Sequence, residues 1–366
     1  MTERQAYIAF NLTERVGPAT LSELVKNTDG SVVAAWESYP RKVARSGGEV
    51  DWEREEELAR KHGVEIVTMA DAAYPEILLG APGAPLVLYV KGDVSALSRP
   101  AIAMVGTRRA TTYGLGIANR LSYDLATAGW SIVSGLAVGI DAESHRGALA
   151  AGGVTVGVIG SGLDKFYPEE NLELAREIAR GRGAVVSEFP FVRPADTTTF
   201  PIRNHVVAAL ARGVVAVESP LRSGTMITTS IAADLGRIVM AVPARIDARM
   251  SAGCLKLIRD GAVLVRNADD IIEAVGPIGE FPGIGAKPAD GRRAASQDKD
   301  PESPKYSVEE ALVMTHVDSE GISIDDLVSL TKLPVEKVSS IAMALRIKGF
   351  VRFLPGNRIS LLTQRR

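Results

Sequence analysis

The sequence predicts an α/β protein built on a doubly wound parallel sheet, with a small helical domain ahead of it and a winged helix behind. Three observations carry this expectation. Between residues 99 and 276, six short apolar runs, AIAMVG, SIVS, VTVGVIG, AVVSE, VVAVES and RIVMAVP, alternate with helical patterns. The runs are continuously apolar, as strands covered on both faces are, and do not alternate in polarity. Each join carries Gly, Ser or Thr and is short, which suits strand–helix–strand units in one sheet.

Taken in chain order, residues 1–70 form the expected helical domain. Within it, LTERVGPATLSELV reads as helix, Gly-Pro turn, helix. Gly17 is free to take a left-handed turn and Pro18 suits a first helical position. Such a turn occurs in helix-hairpin-helix modules that touch DNA phosphates, and equally in a plain αα corner. Residues 71–276 hold the strand–helix alternation. Residues 277–306, rich in Pro, Gly, Ser and charge with few large apolar side chains, predict a flexible linker. Residues 307–366 give helix, helix, tight turn, longer helix and then VRFLPGNRISLL, two strands about a Pro-Gly-Asn turn. That is the order of a winged helix.

Composition narrows the classes. The 366 residues carry 42 Lys and Arg against 44 Asp and Glu, a formal net charge of −2, so a histone-like polyanion coat is excluded. One cysteine, Cys254, allows neither an internal disulfide nor a cysteine-rich zinc site, and four scattered His argue against a His-built metal centre. The amino terminus is charged from residue 3 and no run approaches the ~20 apolar residues of a membrane span. A cytoplasmic protein is expected.

In a sheet of this kind ligands sit beyond the carboxyl ends of the strands. The loops there are Gly106-Thr107-Arg108-Arg109, Ser134-Gly135-Leu136-Ala137, Gly160 to Lys165, Ser187 to Pro190, and Ser219 to Thr225 with Arg222, Ser223 and Gly224 between. Glycine lets backbone amides approach an oxyanion, helix amino termini favour it, and Arg forks around phosphate. A phosphate-binding rim follows. No Gly-x-Gly-x-x-Gly succeeds the first strand, SPLRSGTMITT lacks the Lys of an NTPase phosphate loop, and no Gly-x-Ser-x-Gly elbow is present. The stretch FPFVRPADTTTFPIRNHVV interleaves Phe189, Phe191 and Phe200 with Arg193, Arg203 and Asn204. Rings on which bases stack, among guanidiniums that track phosphates, suit single-stranded nucleic acid. Packing of those rings into the core is the competing reading.

The ordered series AIAMVGTRRATTYG, SIVSGLAVGIDAESHRGAL, VTVGVIGSGLDKFYPEEN, VSEFP, FPIRNHVVAAL, VAVESPLRSGTMITTSIAADLGRIVMAVP and LIRDGA resembles the motifs of the DNA-processing protein A (DprA/Smf) family. The resemblance runs over residues 70–275. It implies an extended Rossmann-like domain that binds single-stranded DNA, forms a homodimer and loads the RecA recombinase in natural transformation, with no cofactor and no chemical step. Carried onto this chain, the DNA pocket would use Gly106, Thr107, Arg108, Ser134, Gly135, Phe200, Arg203, Asn204, Arg222, Ser223, Gly224 and Thr225, with Lys165 near. Arg108 and Arg203 would clamp phosphates and Phe200 would stack. Leu255, Ile258 and Leu264 are the implied dimer surface. The chain departs from the family pattern at His205, where an arginine is usual, at Pro243-Ala244, where Pro-Gly is usual, and at Glu169-Glu170, where some members are basic.

Two rivals stand beside this reading. A nucleoside-monophosphate phosphoribohydrolase would need a glutamate shortly after Gly224-Thr225, where this chain has Thr228; Glu188, Glu218 and the Asp141/His145 pair are the remaining acid–base candidates. A transcriptional regulator would rest on the winged helix, with Arg346, Lys348, Arg352 and Arg358 near its wing.

Overall fold

A computed structural model describes residues 1–278 apart from 41 and 46, and residues 312–361 apart from 319–320, 332, 336, 339–340, 343–344, 346–350 and 355–357. The chain forms two compact units, Met1–Ala286 and Lys287–Arg366. Nearly all of the expected 277–306 linker, and Arg346 and Lys348, lie outside the described residues.

The first unit opens with four helices, α1 (Glu3–Leu12), α2 (Pro18–Lys26), α3 (Val32–Ser38) and α4 (Trp52–Lys61). Thr2 and Gln5 close a capping box at the start of α1, and Pro18 occupies the first turn of α2. Gly17 is extended, at φ −129°; the left-handed residue in this turn is Arg15, at φ 60°. The glycine therefore serves as the N-cap of α2 and not as the turn's hinge.

Nine strands follow: β1 (Glu65–Thr68), β2 (Val87–Gly92), β3 (Ala101–Val105), β4 (Ser131–Ser134), β5 (Thr155–Val158), β6 (Ala184–Ser187), β7 (Gly213–Ala216), β8 (Ile238–Ala241) and β9 (Val263–Leu264). Their order in the sheet is β1-β2-β6-β5-β4-β3-β7-β8-β9. From β6 to β9 all pairings are parallel, and β1 and β2 are antiparallel additions. Six of the parallel strands are the six apolar runs.

Side chains of one strand go alternately to two cores. Ala101, Ala103 and Val105 face the layer of α5 (Glu76–Leu79), α9 (Thr199–Ala209), α10 (Gly224–Asp234) and α11 (Ala252–Arg259). Ile102 and Met104 face α6 (Thr112–Thr127), α7 (Ile140–Ala150) and α12 (Ala268–Val275), and α8 (Leu172–Arg180) extends that layer. Each large side chain buried here stabilises the fold by about 1.5–3 kcal/mol.

The sequence boundary at residues 70/71 is not a seam. β1 is already the edge of the sheet, because Phe10, Trp36 and Ile66 share one core with Val87, Tyr89 and Phe191. In the second unit, β10 (Ile322–Ser323), β11 (Val351–Leu354) and β12 (Arg358–Leu361) form an antiparallel sheet in the order β10-β12-β11, with a helix at Ile324–Thr331. Leu327, Ile341, Leu345, Val351 and Ile359 supply its core. This is a winged-helix arrangement.

A buried polar junction joins the helical module to the end of β6. The Asn11 side chain donates to the Glu188 carbonyl at 3.3 Å, and Arg45 Nε donates to the Asn11 carbonyl at 2.8 Å. Glu188 Oε1 is buried without a hydrogen-bond partner among the described residues. Burial pushes its carboxyl up to about 7, against the opposing pull of Arg45. The folded chain thus holds this proton more tightly than the unfolded chain, so the contribution is full at low pH and is lost as pH rises through the folded value. Glu188→Gln should flatten the fall in melting temperature between pH 4.5 and about 7 and leave the variant more stable than its parent above that window. Identical pH profiles for the two proteins would mean that the carboxyl is solvated.

Candidate functional site

The sheet reverses its winding direction between β3 and β7: from β3 the chain steps through β4, β5 and β6 one way, and from β7 through β8 and β9 the other. Loops leaving such a pair diverge and open a crevice at the carboxyl edge. Two contacts hold the crevice in shape. Thr107 N–H donates to the Glu218 carbonyl at 2.8 Å, and the Glu218 carboxylate accepts from Thr111 N–H at 2.9 Å and Thr111 Oγ1 at 2.6 Å. Glu218 is 2% exposed and sits at the start of α6, where the helix dipole favours its charge. It is a structural cap for the Gly106–Arg109 loop.

A pocket lies over the ends of β4 and β5. Its buried members are Gly135, Ala137, Gly160 and Arg203, and its exposed members are Arg108, Tyr167 and Glu170. Phe200, half-buried, joins the two sets. Tyr167 and Phe200 face each other with ring centroids 5.9 Å apart at 52°, and the Arg108 guanidinium lies 5.1 Å from the Phe200 centroid. Gly160 admits the Phe200 ring: a Cβ there would stand 3.1 Å from Phe200 Cδ1. Aromatic faces and a cation therefore meet in one concavity, the arrangement that holds a flat heterocycle beside an anion.

Beneath this lies a buried charge pair. Arg203 is 6% exposed, and its Nη1 donates to the Val158 carbonyl at 3.1 Å. It acts on Asp141, whose Oδ2 accepts from Gly135 N–H at 3.1 Å and Ala137 N–H at 3.4 Å. Burial raises the Asp141 carboxyl and lowers the Arg203 guanidinium, and each partner opposes the other's shift. Gly135 makes room for this pair, because a Cβ would overlap Arg203 Nη1 and crowd Asp141 Oδ2 and one of the buried side chains would have to shift. Arg203, the phosphate clamp that the family resemblance implies, thus lies at the buried floor of the pocket beside Asp141. His145 is no partner of Asp141: its Nδ1 lies 2.6 Å from Thr155 Oγ1 and burial holds the ring down near 3.

The other residues named from sequence divide. Ser134 is fully buried and its hydroxyl donates to the Met104 carbonyl at 2.6 Å, so it takes no place on the rim. Gly106 packs where a Cβ would meet Ile140, and Thr107 Oγ1 accepts from Arg109 N–H. Lys165 is exposed and paired with Asp164 at 3.0 Å. Asn204 lies beside Gly224, its Nδ2 3.9 Å from where that glycine's Cβ would stand. Ser223 caps α10, Arg222 and Gly224 are exposed, and Thr225 is buried. Phe191 is 2% exposed in the core beneath the helical module, and Phe189 is half-buried.

His205 Nε2 lies 2.8 Å from the Pro82 carbonyl, a contact that fixes the loop ahead of β2. Of the proposed dimer residues, Ile258 packs against the core and Leu255 is half-buried, whereas Leu264 is 43% exposed on the edge strand β9. Cys254 is buried, and burial pushes its thiol up to about 12. Among the described residues no group of His, Cys, Asp and Glu could hold a metal ion, and no helix is long and apolar enough to cross a membrane. Sequence reasoning missed Tyr167 and did not bring Glu170 to the pocket; the signal was the FYPEEN segment directly after the Gly-rich loop of β5.

Comparison with known proteins agrees with this architecture. The family described as DNA recombination-mediator protein A matches residues 65–276, and the DprA winged helix domain matches residues 297–357. DNA processing protein DprA of Bacillus subtilis is 39% identical over 58% of this chain and 72% of its own length. The crystal structure of DNA processing protein A from Streptococcus pneumoniae superposes with a TM-score of 0.62 at 29% identity, covering 75% of this chain and 98% of that one. DNA processing protein A from Helicobacter pylori, studied for its unique single-stranded DNA binding mode, superposes with a TM-score of 0.51 at 30% identity over 57% of this chain and 94% of its own. A parallel sheet with this switch point, a matched sheet domain and a matched winged helix place the chain in one group: it belongs to the DNA recombination-mediator protein A family.

Proposed function

We propose that the pocket at the carboxyl edge of β4 and β5 binds single-stranded DNA, and that the chain, as a homodimer in the cytoplasm, hands the strand to the RecA recombinase. The observation that carries this reading is the convergence of Tyr167, Phe200 and Arg108 on one concavity. Stacking on a ring contributes about 1–3 kcal/mol per base and tolerates any base, while the guanidinium answers the adjacent phosphate. The binding mode studied in the Helicobacter pylori relative supports it.

The role is one of binding, with no bond made or broken. Thr228 stands where a phosphoribohydrolase would carry its glutamate; it is 3% exposed and its hydroxyl donates to the Gly224 carbonyl at 3.0 Å. Glu218 and Asp141 are occupied by backbone amides and hydroxyls.

The clean test is Arg108 and not Arg203. Arg203 is buried beside Asp141 and hydrogen-bonded to the Val158 carbonyl, so its removal would confuse folding with binding. Arg108 is exposed and carries no ion pair among the described residues. Arg108→Ala should weaken binding of a labelled single strand and reduce the slope of log affinity against log salt by about 0.7, the share of one phosphate contact. Unchanged affinity and slope would remove the proposed pocket.

For the dimer, Ile258 is a poor probe because a charge there would disrupt the core. The edge strand β9 presents Val263 and Leu264, 39% and 43% exposed, beside unpaired backbone groups, a surface that edges commonly need covered. Leu264→Asp should sediment as a folded monomer. A dimer that persists would place the interface elsewhere.

A further inference from the structure

The pocket is asymmetric in charge, and this bears on which base it accepts. Arg108 stands on the Phe200 side as an exposed donor. Glu170 also lines the pocket and, among the described residues, is its one carboxylate. Asp141 lies behind Gly135, is occupied by two amides and has the Arg203 charge near it. Glu170 is exposed and makes no hydrogen bond or ion pair among the described residues, unlike neighbouring Asp164, which pairs with Lys165. An anion here would repel a phosphate, so a strand bound in this pocket would carry its backbone on the Arg108 side and a base edge on the Glu170 side.

An ionised carboxylate is an acceptor only. We propose that Glu170 is a specificity-determining residue of this pocket, favouring a base that presents an exocyclic amino group over thymine. The inference rests on the single-strand reading above. Cytosine offers its N4 amino group as a donor, the partner that acidic side chains take on cytosine. Thymine presents the O4 carbonyl at the same position, and two acceptors face to face repel. Both pyrimidines carry the same O2 carbonyl, so Arg108 cannot separate them through that atom. Stacking on an exposed ring face of Tyr167 or Phe200 does not separate them either, since both bases offer a flat face. Discrimination at the exocyclic 4-position therefore falls to Glu170.

The experiment compares oligodeoxycytidine with oligothymidine of equal length, by fluorescence anisotropy at two salt concentrations, for the full chain and for Glu170→Gln. The parent should favour oligodeoxycytidine by about fivefold or more, the lower end of one good base contact. In the variant the ratio should fall toward one with tighter binding of oligothymidine, because a carboxamide both donates and accepts. The ratio should change little with salt, which separates base recognition from repulsion of the backbone. Binding of both oligonucleotides with equal affinity by the parent, or a preference that survives in Glu170→Gln, overturns the role of Glu170 while leaving the single-strand reading intact. Failure of the parent to bind either oligonucleotide overturns the single-strand reading and this inference with it.

Discussion

The constraint on which the site depends is the placement of one guanidinium inside the protein. Arg203, 6% exposed, can be held charged only because Val158 offers a carbonyl and Asp141 a carboxylate nearby. That carboxylate in turn receives the amides of Gly135 and Ala137, so the loop after β4 is folded around the charge. The Arg203 head fills the space where any side chain at position 135 would begin. One buried pair thereby fixes the end of β4, the floor of the pocket and the first turns of α9, on which Phe200 rides.

Above this floor the groups turned to solvent are free to act because those below are not. Glu218 is spent on Thr111, Ser134 on Met104 and His145 on Thr155, each holding a loop or helix against the sheet. What remains at the pocket's surface is an exposed cation, an exposed ring, a half-buried ring and an exposed carboxylate. Such a set has the means to stack, to neutralise and to read a base edge. It is backed by the buried Arg203 and rimmed by exposed side chains.

The strands of the central domain were legible because burial on both faces leaves uninterrupted apolar runs, and all six runs became neighbours in one sheet. The winged helix was legible from its turn chemistry. The site was half legible. Arg108, Gly135, Phe200 and Arg203 do meet, but Tyr167 comes to Phe200 from a segment thirty-odd residues away, and only the adjacency of the β5 loop and α9 joins them. Sequence distinguishes poorly between a serine at a strand end that caps a helix, as Ser223 does, and one that turns inward, as Ser134 does. It also cannot tell which phenylalanine of a cluster is covered. Phe191 is sealed because the amino-terminal helices fold back onto the sheet, a long-range event. Arg15 taking the left-handed position beside Gly17 is of the same kind: the turn was visible, and the residue that bends was not.

The central claim is that this edge of the sheet is shaped for an unpaired strand. It is tested most directly by the affinity of the purified full chain for one labelled oligonucleotide, alone and annealed to its complement, at low and at physiological salt. Stacked rings require unpaired bases, so the account predicts tighter binding of the single strand at both salt concentrations, with affinity falling as salt rises. Equal or tighter binding of the duplex, or no measurable binding of either, would contradict it.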